Sequence, residues 1–78
     1  MKKITTLNEV KVGCKCKVLG IKSEGLLKQR LLDLGVVPST IISVLRKSPF
    51  GDPTAYFIRE TCIALRKEEA KDIIVSLL

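Results

Sequence analysis

Cys14-Lys15-Cys16 sets two thiols two residues apart. Side chains on a strand alternate between faces, so both sulfurs would share one face and could grip a single soft ion, iron or zinc. That face also carries Val12 and Val18. A free cysteine packs well as a small hydrophobe, so core filler is the commoner reading of Cys14 and Cys16. Any metal there needs further ligands, from Cys62, a carboxylate or another chain. Cys62 is out of phase with Ile63 and Leu65, which places it near the surface.

The rest of the chemical inventory is mostly exclusion. The chain has 3 Cys and no His. It cannot build a four-cysteine zinc site, a two-Cys two-His finger or a Ser-His-Asp triad by itself. Gly20-Ile21-Lys22-Ser23-Glu24-Gly25 has the two glycines of a phosphate-binding loop, but Leu26-Leu27 stand where Lys and Ser or Thr must follow. It reads as an ordinary strand-to-helix loop. The 8 carboxylates show no tight cluster for acid–base work. No nucleophile–base pair can be assembled, so an enzyme is not expected.

At 78 residues the chain is long enough for one domain, residues 1–78. Lys and Arg number 14 against 8 Asp and Glu, a net charge of +6. The cations are scattered over every element, and aromatic platforms for bases are scarce, so nucleic-acid binding is a weak alternative. The commoner meaning is solubility and a bias toward an acidic partner surface. The longest apolar run is four residues, Ala55–Ile58 and again Cys62–Leu65. A membrane span or a signal peptide needs far more, so no membrane insertion is expected. An odd cysteine count without a signal fits a reduced, cytoplasmic protein.

Periodicity supplies the elements that position these residues. Thr6-Leu7-Asn8-Glu9 fits a capping box opening a turn or two of helix. Val12, Cys14, Cys16 and Val18 alternate with Gly13, Lys15 and Lys17, a half-buried strand. Leu19 and Ile21 change parity, which a bulge would explain. Leu27, Leu31 and Leu34 line one face of a helix over Ser23–Leu34, closed by Gly35 and Pro38. Thr40–Lys47 and Thr54–Arg59 form a hairpin around Ser48-Pro49-Phe50-Gly51-Asp52-Pro53. If Tyr56 and Ile58 are core, Ala55 and Phe57 face out beside Leu45 as a contact patch, and a homo-dimer becomes conceivable. Thr61–Arg66 is a further strand, Lys67–Asp72 a short helix with Glu68 and Glu69 in its first turn, and Ile74–Leu78 a final strand. Four or five short strands with two helices read as mainly β (α+β). A small barrel is favoured over a sandwich because closure removes edge strands.

Three runs together resemble the ferrous iron transport protein A (FeoA) family. They are Arg30-Leu31-Leu32-Asp33-Leu34-Gly35-Val36-Val37-Pro38, then Ser48-Pro49-Phe50-Gly51-Asp52-Pro53, then Ala64-Leu65-Arg66-Lys67-Glu68-Glu69-Ala70. The resemblance runs from about Ile4 to Val75. Ser39 and Glu60 stand where the family usually has Gly, both at turns. The resemblance implies an SH3-like β-barrel with a helix inserted after the first strand and a short C-terminal helix. It implies an accessory of bacterial ferrous iron uptake, whose partner is the membrane transporter FeoB with its cytosolic GTP-binding domain. Transition-metal binding is also implied, with only Cys14 and Cys16 here to support it. The expected partner-binding surface is Leu26, Arg30 and Leu32 on the helix and Phe50 at the hairpin tip. Leu32 lies off the Leu27-Leu31-Leu34 stripe, and Phe50 sits in a turn.

Overall fold

The computed structural model describes residues 3–78. The elements, in order, are β1 (Ile4–Thr6), a 3-10 turn (Leu7–Glu9), β2 (Lys15–Ile21), α1 (Gly25–Asp33), β3 (Ile41–Lys47), β4 (Thr54–Ile58), β5 (Thr61–Leu65), α2 (Lys67–Ala70) and β6 (Ile73–Leu77). The strands form one antiparallel sheet in the order β1-β6-β2-β3-β4-β5.

Alternation decides which face is buried. Cys16 and Val18, Ile42 and Val44, Tyr56 and Ile58, Leu65, and Ile73 and Val75 all enter a single core. Leu7, Val10, Leu31, Val36 and Ala70 fill it from the connections and helices. With one sheet and one core, the sheet has to curl so that β2 to β6 all face inward. Two bulges help, because an extra residue in one strand steepens the local twist. One shifts register between Val18 and Gly20 against β6, as the parity change at Leu19 suggested. The other lies between Val44 and Arg46 against β4 and leaves Leu45 exposed.

Several expectations need correction. The Thr6 capping box does not form, because the Thr6 hydroxyl donates to Asn8 Oδ1 (2.6 Å) and no side chain caps the turn. Residues 4–6 are a strand, pairing with β6 through Ile4↔Ser76 and Thr6↔Ile74. The helix therefore follows the second strand rather than the first. Val12 and Cys14 precede β2 in a turn and are exposed, so only Cys16 and Val18 of that stripe are core. The helix is shorter at both ends than Ser23–Leu34. The ladder is open rather than hydrogen-bonded shut, with β1 and β5 at its ends.

Turn geometry is visible at the two positions where the resemblance leads to an expectation of glycine. Ser39 (φ 76°) and Glu60 (φ 64°) both occupy the left-handed region, in which a side chain costs about 1–2 kcal/mol. Arg59 (φ 48°) and Glu60 form a two-residue connection between the paired Ile58 and Thr61. Two successive positive φ values match the twist of a tight hairpin. Gly35 (φ +100°) closes α1, and a Cβ there would lie 2.6 Å from Arg59 Cδ. Two opposite outcomes are expected in urea denaturation. Glu60→Gly should raise stability by about 0.5–1 kcal/mol, because left-handed strain exceeds the entropy that Gly brings. Gly35→Ala should lower it by about 1–3 kcal/mol. Equal or reversed signs would contradict the turn assignment.

Candidate functional site

The thiols separate on folding. Cys16 is fully buried and its Sγ lies 3.7 Å from the Ile42 carbonyl, whereas Cys14 and Cys62 are exposed. Burial pushes the Cys16 thiol from 9.0 up to about 11, so its proton stays on at neutral pH. The Cys-x-Cys therefore offers one accessible sulfur, at Cys14. Among the described residues, no group of three or more His, Cys, Asp or Glu side chains is placed to hold a metal ion.

The four expected contact residues lie in different environments. Leu26 at the start of α1 is 90% exposed and Phe50 at the tip of the β3–β4 loop is 95% exposed. Leu32 is half-buried. Arg30 Nη1 pairs with Glu69 Oε2 of α2. Of the four, only Arg30 lines an open groove of about 670 Å³, which is bounded also by Leu27, Pro53, Ala64, Arg66, Glu68, Glu69 and Lys71. The groove thus joins α1, the foot of the β3–β4 loop, β5 and α2.

Polar side chains fix these elements. The Glu69 side chain is only 10% exposed, and an almost buried carboxylate needs partners. Its Oε1 accepts the Arg66 backbone N–H (2.9 Å), which caps α2, while its Oε2 takes Arg30. Glu69, expected only as a first-turn acid that favours the helix dipole, thus also ties α2 to α1. Asp52 Oδ1 accepts the Lys67 N–H (2.8 Å), tying the loop to α2. The Ser23 hydroxyl donates to Asp72 Oδ2 (2.5 Å), tying the entry of α1 to the start of β6. Sequence reasoning missed these ties. The Arg66–Glu68 pair is exposed at 4.0 Å, a geometry worth little in water.

On the outer sheet face, Phe57 (42% exposed) lies opposite Ser43 and Cys62, with Ile41 and Leu45 exposed on β3. This is the patch expected if Tyr56 and Ile58 are core. No helix among the described residues is long and apolar enough to cross a membrane.

Comparison with known proteins adds the following. Residues 5–77 match the family model described as FeoA domain. The NMR structure of a FeoA-like protein from Clostridium acetobutylicum superposes with a TM-score of 0.91 at 44% identity, covering 100% of this chain and 91% of that one. A Porphyromonas gingivalis protein named Fe(2+) transport protein A/Fe(2+) transporter FeoB fusion protein is 31% identical over 72 residues. The match covers 92% of this chain and 8% of the fusion, so this chain spans a small fraction of that relative's length. A crystal structure of Stenotrophomonas maltophilia FeoA complexed with zinc, described as a procaryotic SH3 domain protein, superposes with a TM-score of 0.81 at 28% identity. That match covers 91% of this chain and 88% of the other. The SH3-like fold expected from the three sequence runs is the fold observed.

The buried thiol gives this end of the sheet a measurable pH dependence. The folded-state value is raised above 9.0, so the unfolded chain loses the proton first. The stability from keeping Cys16 neutral is fully present below about pH 9 and is lost as pH rises toward about 11. Burial likewise raises the Tyr56 phenol, which adds to the loss at the alkaline end. In urea denaturation from about pH 8 to about pH 11, Cys16→Ala should show a shallower fall than the parent chain. Identical slopes would contradict the buried, neutral thiol.

Proposed function

The chain belongs to the FeoA family, and on that premise we propose that it is a non-catalytic adaptor of ferrous iron uptake. In this reading it works on the cytoplasmic side of the membrane. It binds the cytosolic part of FeoB, with its GTP-binding domain, and modulates the transporter's activity or assembly. The observation that carries the reading is the Porphyromonas gingivalis fusion, in which the matching segment and FeoB share one polypeptide. Covalent linkage holds two modules at an effective concentration on the order of millimolar. Where no such linker joins the two, a binding surface has to do its work.

Leu26 and Phe50 are the best-placed anchors for that surface. Large apolar side chains left almost fully in water gain most by being covered. The groove lined by their chain neighbourhoods, at Leu27 and Pro53, supplies the cations Arg30, Arg66 and Lys71. Leu32 contributes at its half-buried edge. Arg30 takes part while remaining paired with Glu69.

A second reading, transition-metal binding, is favoured by the zinc complex of the Stenotrophomonas maltophilia relative. Here Cys14 supplies the accessible sulfur and a second chain completes the site, because Cys16 is buried and keeps its proton. Cobalt added to the reduced chain should then give thiolate charge-transfer absorption that Cys14→Ser removes. No absorption in the parent chain would sink this reading.

The adaptor reading is tested by capture from detergent-solubilised membranes of a bacterium carrying the transporter, read by mass spectrometry. The parent chain should recover FeoB. The folded Leu26→Asp, Phe50→Asp variant should bind at least about tenfold more weakly, as expected when interface anchors are removed. No recovery of FeoB by the folded parent chain would overturn the adaptor reading. Unchanged recovery by the variant would overturn the assigned surface.

A further inference from the structure

The β3–β4 loop, the Leu7–Glu9 turn and α2 enclose a second, more closed cavity of about 240 Å³. Its lining includes Asn8, Glu9, Lys47, Thr54, Tyr56 and Lys67. Thr54 and Tyr56 are buried members of β4 and form a fixed wall. Lys47 and Lys67 are exposed cations, and among the described residues neither has an ion-pair partner. The nearby Asp52 carboxylate accepts the Lys67 backbone N–H at Oδ1, which holds it at the cavity's edge with its negative charge intact. Asn8 Oδ1 is taken by the Thr6 hydroxyl, which leaves the Asn8 amide N–H groups as the part free to donate. Two ammonium groups, an amide donor and hydroxyls thus surround a space with room for one side chain and a few waters.

Glu9 is the single carboxylate in the lining. With Lys47 and Lys67 it leaves the lining itself one net positive charge, and Asp52 at the edge offsets the remainder, which disfavours a dianion and leaves a single carboxylate as the anion that fits. The rim carries the second element. Gly51 lines the cavity and Phe50 precedes it, 95% exposed. The loop is held there by Gly51 N–H to the Ser48 carbonyl (2.8 Å) and by the Ser48 hydroxyl to the Asp52 carbonyl (2.7 Å). A phenylalanine presented to water on a braced loop beside a cationic cavity is a two-part recognition surface. The chain's charge of +6 adds long-range attraction for an acidic partner.

We propose that this cavity is a docking site for an acidic peptide segment of a partner protein. A carboxylate of the segment enters between Lys47 and Lys67, and a neighbouring apolar side chain lies on Phe50. This deepens the adaptor reading and rests on it only for the identity of the partner. The cavity itself can be tested without the transporter.

The probe is a dye-labelled peptide of Asp and Leu residues, followed by fluorescence anisotropy and by amide NMR shifts of the full chain. Lys47→Gln and Lys67→Gln should each weaken binding by about two- to fivefold, and Glu9→Gln should tighten it by a similar factor. Shifts should centre on Asn8, Gly51 and Tyr56, and a peptide with Asn in place of Asp should bind more weakly. The opposite sign at Glu9 separates a charge effect from damage to the fold. Shifts confined to α1, affinity unchanged in both lysine variants, or displacement by inorganic phosphate at concentrations where acetate fails would each overturn the proposal. FeoB capture that persists without peptide binding would overturn the cavity alone and leave the adaptor reading standing.

Discussion

A chain of 78 residues has apolar side chains for one core. Every strand has to reach that core with one face, and the rest of the architecture follows. The sheet curls, two bulges steepen its twist, and α1 sends Leu31 into the interior. The cost is a second sheet face and two open edges that nothing in the chain is large enough to cover. Ile41, Leu45 and Phe57 remain in water on that face, as Leu26 does on α1 and Phe50 on the β3–β4 loop. That uncovered surface is where a partner can bind.

Charge then fixes what the core does not. Glu69 brings a carboxylate almost out of water, and such a group is tolerable only when its oxygens are engaged. Arg30 and the Arg66 N–H engage them and so lock α1, α2 and the end of β5 together. Asp52 does the same for the β3–β4 loop through Lys67. The groove and the neighbouring cavity are therefore bordered by held elements. A partner docking there would spend little binding energy on ordering them.

Local signals carried most of the fold. Ile42 with Val44 and Tyr56 with Ile58 alternate cleanly, and their burial follows directly from strand geometry. Gly35 marked the end of α1, and Ser39 and Glu60 proved to be left-handed turn residues. What stayed hidden was either too short or too distant. β1 is three residues with two threonines, below the length at which alternation can be read. The Thr6 box failed because Asn8, two residues away, offered the hydroxyl a nearer acceptor. Arg30 and Glu69 are 39 positions apart and meet only once the sheet has curled. For the candidate site, Phe50 was legible as an apolar residue in a turn, whereas Leu26, beside Leu27 in the pattern, shows its exposure only in the fold. The cavity between Lys47 and Lys67 was not legible, because its lining comes from four separate segments.

The central claim is that this chain acts by binding and not by chemistry. The most direct measurement is ferrous iron uptake in cells lacking the chain, restored with four forms of it. These are the parent and the Leu26→Asp, Phe50→Asp variant, each supplied free or fused to the transporter by a flexible linker. If binding is the whole role, the free variant fails and the fused variant recovers uptake, because the linker replaces the lost contacts. A free variant as active as the parent, or a fused variant that stays inactive while the fused parent works, would contradict the account.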